Sequence, residues 1–221
     1  MIVAIGCPPP PTRARKPTLA INRHLREMIT RHGFLTYPYF LDNNFIALGE
    51  ADTKYLRHHA KLWGYGVIRF AIAPDNKPEE AQELLEEFPN INWILPLHSL
   101  DENIDDYAWI GFPHDQARRD YTLGEYLELT KNKKRWYLGY FEGMDYYELL
   151  NFDGLDTTIP LLYAGKFGTI WIDWGKKQSA DDLNMYVEEI IELNILNFKI
   201  ALLKLLQNRR SHARTNLEVK T

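Results

Sequence analysis

Apolar and polar positions alternate in blocks along the chain. Eight short runs rich in β-branched and aromatic residues read as strands: IVAI (2–5), FLTYPYFL (34–41), VIRFAIA (67–73), INWILPL (91–97), YAWIGF (107–112), RWYLGY (135–140), FDGLD (152–156) and TIWIDW (169–174). Most are followed by a polar stretch with apolar residues at helical spacing. In EADTKYLRHHAKLWG, Leu56, Ala60 and Trp63 fall at i, i+4 and i+7, and in KPEEAQELLEEF, Ala81, Leu84, Leu85 and Phe88 make one stripe. TLAINRHLREMITRH and TLGEYLELTKNK read as further helices, MDYYELLN as a short one, and 179–208 as a long closing helix capped by Ser179 or Asp181. Strand followed by helix, repeated, predicts a parallel sheet.

Eight such units predict a compact α/β fold, a (β/α)8 TIM-like barrel with a long C-terminal helix, and an open doubly wound sheet is the alternative. No Gly- or Ser-rich linker interrupts the 221 residues, so residues 1–221 read as a single domain, with 209–221 as a flexible tail. The closing helix carries apolar residues on more than one face, among them Leu196, Ile200 and Leu203. That surplus predicts either a helix buried on two sides or a homodimer contact.

Composition is that of an ordinary globular chain, 45% hydrophobic and 25% charged. A formal net charge of −4 gives no global attraction to nucleic acid, so such binding has to use local patches such as KNKKR (131–135). The single Cys7 excludes a disulfide framework and a cysteine zinc site, which fits a reducing, cytoplasmic location. No apolar run is long enough to span a membrane. No metal site and no cofactor is expected: phosphate-loop, HExxH and GxSxG patterns are missing.

Both candidate folds place function where strands end, and there the chain is acidic. Asp42 follows the second run, Asp75 the third, His98 the fourth, Pro113 and His114 the fifth, Tyr140 and Glu142 the sixth; Asp156 ends the seventh and Asp173 lies near the end of the eighth. Each has a structural explanation: Asp75 as a helix cap, Asp42 as an Asx turn, His98 as a cap or core residue. Together they supply either oxygen ligands for a cation or a nucleophile and an acid/base pair, since crowding raises one carboxyl pKa and leaves another ionised. In NFDGLDTTIPLLYAGKFG, Asp153 and Asp156 sit three apart, so a regular strand points them to opposite faces. Asp153 then reads as the polar strand start and GKFG as the turn into the eighth strand.

The order FLDNNFIAL (40–48), RFAIAPDNKPEEAQELL (69–85), NWILPLHS (92–99), YAWIGFP (107–113) and RWYLGYFEGMDYYELLNFDGLDTTIPLLYAGKFGTIWI (135–172) resembles the queuine/archaeosine tRNA-guanine transglycosylase superfamily. It is most similar to the short phage and archaeal members linked to 7-deazaguanine modification of DNA. The resemblance implies an enzyme that exchanges guanine for a 7-deazaguanine in DNA or tRNA, through a covalent glycosyl intermediate on Asp156. It implies Asp42 as the proton donor and acceptor near the base, and Asp75, His98, Gly111, Gly139 and Tyr140 as base-binding positions.

The chain departs from that pattern at three places. Asn44 stands for a glycine, His98-Ser99 for a Gln-Gly pair, and the zinc site that docks tRNA is absent. Two other readings of the same residues stand beside this one: a carboxylate-dependent hydrolase, and a viral or archaeal barrel that serves as a binding module.

Overall fold

The computed structural model describes residues 1–6, 27–35, 39–141 and 145–218. Seven of the eight strand runs enter one parallel sheet: β1 (Ile2–Ile5), β2 (Phe40–Leu41), β3 (Phe70–Ile72), β4 (Asn92–Pro96), β5 (Trp109–Pro113), β6 (Lys134–Tyr140) and β7 (Gly154–Thr157). Their order is β1-β7-β6-β5-β4-β3-β2. Residues 34–35 and 39–41 bring the two edges of this sheet toward each other. Leu35 bridges Ala4 of β1 in parallel, accepting from Ile5 N at 2.9 Å and donating to Val3 O at 2.8 Å, while Phe40 and Leu41 pair with β3. The sheet is therefore a nearly closed, barrel-like cylinder.

Side chains of alternate residues point inward and outward, as the two-residue period of a strand requires. Inside, Phe40, Phe70, Trp109 and Trp136 pack with Ala4, Ile72 and Ile94. Phe40 stacks on Trp136 with ring centroids 5.4 Å apart, and Phe70 meets Trp109 edge-on at 5.0 Å. Large rings need small residues opposite them: a Cβ on Gly154 would collide with the Trp136 ring. Outside, Leu41, Ala71, Trp93, Ile110, Phe112, Tyr137 and Leu155 form the main core with the surrounding helices.

Those helices follow the apolar stripes. α1 (Phe45–Leu48) is one turn, α2 (Thr53–Trp63) is capped by Asp52, which accepts from Tyr55 N at 2.9 Å, and α3 (Pro78–Glu87) begins with a proline. α4 (Leu123–Leu129) starts at Thr122 with a full capping box to Glu125. Residues Tyr146–Asn151 form a 3₁₀ turn. Most of the stretch TLAINRHLREMITRH lies outside the described residues; 27–31 are helical.

Three expectations are corrected. The eighth run does not join the barrel: β8 (Thr169–Asp173) pairs antiparallel with β9 (Lys176–Ser179) across a two-residue turn at Trp174 and Gly175 (φ 73°). Backbone groups of β8 are instead taken by the closing helix α6 (Val187–Glu218): Asn194 Oδ1 accepts from Trp171 N at 2.7 Å and Asn197 Nδ2 donates to Trp171 O at 2.9 Å. On the barrel side, β1 already has β7 and Leu35 as neighbours, which leaves no open edge for an eighth strand there.

Second, GKFG is not a free-standing turn: Gly165–Phe167 are the last residues of helix α5 (Ile159–Phe167), and Gly168 at φ 55° ends it, its N–H donating to Ala164 O at 3.2 Å. Third, the closing helix begins at Val187 and its backbone stays helical through Glu218, so the tail is not a loop from 209. At 32 residues it is about 48 Å long. Ile191, Ile195, Phe198, Ala201, Leu202 and Leu205 are buried against the rest of the molecule, while Leu196, Ile200 and Leu203 remain exposed. Among the described residues no helix is long and apolar enough to cross a membrane.

Candidate active site

The C-terminal ends of the barrel strands carry the acidic residues. Asp156 is the third residue of β7 and alternates inward, between Leu155 and Thr157, whose side chains are buried on the outer side. Its carboxylate is held by two N–H groups: Trp136 Nε1 donates to Oδ1 at 2.9 Å and Gly139 N donates to Oδ2 at 3.0 Å. The second donor exists because β6 breaks register between Tyr137 and Tyr140, where Gly139 takes φ 66°. A bulge of this kind turns a backbone N–H out of the ladder and toward a side chain.

Asp42 follows β2 at one edge of the sheet, while β7 lies beside β1 at the other edge, where Leu35 bridges Ala4. Ala4 of β1, in register with Asp156, gives the interior only a methyl group at this level. Asp42 retains access to solvent at the mouth, yet the protein packed around its carboxyl desolvates it. Its Oδ1 accepts from Asn44 N at 3.0 Å, an Asx turn that puts Asn44 at φ 61°. Burial, then the charge of Asp75, raise the Asp42 pKa against the opposing N–H of Asn44. Burial, then the charge of Asp42, raise the pKa of Asp156 to about 7, again against the Trp136 and Gly139 donors. Two carboxyls that feel each other in a desolvated place do not both ionise easily, and the pair holds a proton near neutral pH.

Asp75 and His98 form a second group beside this pair. Asp75 is buried; its Oδ1 lies 2.7 Å from His98 Nε2 and its Oδ2 accepts from Asn43 Nδ2, which also donates to Ala73 O at 2.7 Å. His98 Nδ1 lies 2.7 Å from the Arg118 carbonyl. A ring with oxygen acceptors on both nitrogens is best satisfied as an imidazolium that donates both ways. The bond to Asp75 accordingly raises the His98 pKa, with burial opposing it. Glu102 Oε1 accepts from the backbone N–H of both His98 and Ser99 at 2.8 Å, fixing the turn after β4.

The expected site residues therefore separate. Asp42, Asp75, His98 and Asp156 do come to one end of the barrel, with Gly139 supplying an N–H to Asp156. Asp75 and His98 direct their polar atoms to each other, Asn43 and a carbonyl, and so tie together the turns after β2, β3, β4 and β5. Asp75 is not a helix cap; Lys77 holds that position. Gly111 lies inside β5 against Leu138, below the mouth. The Tyr140 ring is buried in the outer core, edge-on to Trp174 at 5.8 Å, and does not face the interior. His114 also points away, with Nδ1 2.8 Å from the Tyr137 hydroxyl, and Asp173 belongs to the β8–β9 hairpin. Glu142 and the segment after β1 lie outside the described residues.

Three contributors had no chemical signal in the sequence: Trp136, Asn43 and Arg118. The Arg118 guanidinium sits 4.3 Å over the Phe45 ring and acts electrostatically on Asp42. Among the described residues no cluster of three or more His, Cys, Asp or Glu is arranged to hold a metal ion. Two concavities, around Leu35 and Lys199 and around Tyr107 and Lys134, lie at the opposite, N-terminal end of the strands.

No protein-family model matches the chain. It is similar to an uncharacterized protein, ORF192, of Acidianus two-tailed virus, with 26% identity over 167 residues, covering 72% of this chain and 81% of that protein.

Proposed function

We propose that the mouth of the barrel transfers a glycosyl group at the anomeric carbon of a nucleoside, as the resemblance to guanine transglycosylases implies. Asp156 attacks C1′ while the bond from C1′ to the base nitrogen breaks, and Asp42 gives its proton to the departing guanine. The incoming 7-deazaguanine returns its ring N–H proton to Asp42 as it displaces the Asp156 carboxylate, so protons and bonds balance over the cycle. Nucleic acid, DNA or tRNA, is the substrate class, and the Phe45 and Arg118 pair beside Asp42 is a suitable face for a base or a phosphate.

The observation that carries this reading is the Asp42–Asp156 pair at the strand ends, with Asp156 held by two N–H donors. Those donors favour its ionised form and aim it, which an attacking carboxylate needs; the proton of the pair then belongs on Asp42. The Asp75–His98 network acts here by positioning Asn43 and Arg118.

Incubation with a guanine-containing oligonucleotide or tRNA and labelled guanine tests the reading. Exchange into nucleic acid and a denaturation-stable adduct are expected. Asp156→Asn should reduce exchange by about 10³-fold or more and abolish the adduct. Undiminished exchange in that variant overturns the assignment of Asp156, and release of base without exchange makes the protein a hydrolase.

A further inference from the structure

At the opposite end of the barrel, a cavity of about 400 Å³ opens between the starts of β1 and β3, the stretch 32–35 and the middle of α6. Its volume falls within the range of small-molecule sites, roughly 300–1,000 Å³. The walls are apolar: Ile2, Val3, Phe34, Leu35 and Phe70 from the barrel side, and Leu202, Leu203 and Leu206 from the helix. Three nitrogen-bearing side chains, Arg69, Lys199 and His32, interrupt this lining.

Among the described residues these three groups are thinly partnered. No ion pair or side-chain hydrogen bond engages Arg69 or Lys199 there, and His32 Nε2 is buried with no hydrogen-bond partner. The nearest acid, Glu192, stays 4.0 Å from His32 Nε2 and is itself bound by Arg31 at 2.9 Å. A buried nitrogen without a hydrogen bond is costly to the fold unless something else satisfies it. Burial, then the Lys199 charge, hold the His32 pKa below its ordinary value, so the ring is neutral at pH 7 and able to donate one hydrogen bond to an anion.

We infer that this cavity binds an amphiphilic carboxylate, with the acid head between Arg69, Lys199 and His32 and an apolar tail against Leu202, Leu203 and Leu206. Apolar walls alone would accept any oily molecule. The two unpaired cations and the imidazole nitrogen without a hydrogen bond select a single anionic head, because each charge-assisted hydrogen bond in a partly desolvated place is worth more than a neutral one. Nothing in this site depends on the chemistry at the mouth, which lies at the other end of the strands.

Sodium decanoate, kept below its micelle threshold, is the probe for the full chain, with decanol as the tail without the charge and acetate as the charge without the tail. Decanoate should raise the unfolding temperature, since a ligand that binds only the native state must do so, and the two controls should not. The histidine NMR signals of His32 should move with decanoate. In the double variant Arg69→Gln and Lys199→Gln, unfolding without ligand should be nearly unchanged because both side chains reach the surface, while decanoate should bind at least about tenfold more weakly. The inference is overturned by an equal shift with decanol, by no shift with decanoate, by unchanged binding in the double variant, or by binding that leaves the His32 signals in place.

Discussion

Single residues in this protein are decided by what faces them across the barrel. Gly154 occupies β7 opposite Trp136, and a methyl group there would run into the indole. Gly154→Ala should therefore destabilise the fold by about 1–3 kcal/mol in urea unfolding, by overpacking, and it should also disturb the Trp136 donor to Asp156. Asp75 offers a second test. It is buried, and its carboxylate is shared between His98 and Asn43. Asp75→Asn should lower the His98 pKa, read by NMR titration of the ring, because the hydrogen bond that raises it would then involve a neutral amide. An unmoved His98 titration would show that the ring is held by the Arg118 carbonyl alone. The strand-end acids were legible one by one in the sequence. Which of them keep a free oxygen was not, since that depends on Asn43 and Arg118, placed by separate turns.

At the scale of elements, two segments show how far local pattern reaches. IPLLYAGKF carries a single charged residue, Lys166 in its exposed last turn, and its apolar residues pack on α6 and β8, so no clear helical period marks it as a helix. TIWID has the composition of a strand and is one, but its partner is β9, and its place beside α6 is set by Asn194. That side chain is fully buried and makes three bonds, accepting from Trp171 N and donating to Pro160 O at 3.1 Å and Thr169 O at 3.0 Å. Asn194→Leu keeps the size and removes the bonds, leaving several buried backbone groups unpaired. The expected loss is about 3 kcal/mol, measured by thermal or urea unfolding. A near-neutral result would mean that water replaces the amide. Trp174-Gly175 was the available turn signal, between TIWID and KKQS, and it is weaker than the Asn-Gly or Asp-Gly pairs that mark most two-residue hairpins.

For the molecule as a whole, the raised acids and the raised His98 make stability fall as pH rises, while the lowered His32, His59 and His114 act the other way below the ordinary histidine pKa. The native Asp42–Asp156 pair keeps one proton up to about pH 7, whereas unfolded aspartates lose theirs near pH 4, so across that window folding binds a proton and this pair makes stability fall as pH rises. His98 adds to this: its ion pair contributes fully below the ordinary histidine pKa and is lost as pH rises through the raised folded value. Asp156→Asn should make the unfolding temperature fall less, or rise more, between pH 5 and pH 7 than it does in the unsubstituted protein; identical profiles would refute the argument. Period, turn residues and strand composition by themselves determined the repeating strand–helix order, the parallel sheet and the acidic strand ends, because those follow from which side chains prefer an interior and which backbone conformations they allow. Closure with seven strands was decided by tertiary structure, since it depends on Leu35 filling the edge of β1 and on Asn194 and Asn197 drawing β8 to the helix. The coupling of Asp42 to Asp156 was decided there too, because two carboxyls 114 residues apart in sequence interact only once the barrel brings their strand ends together.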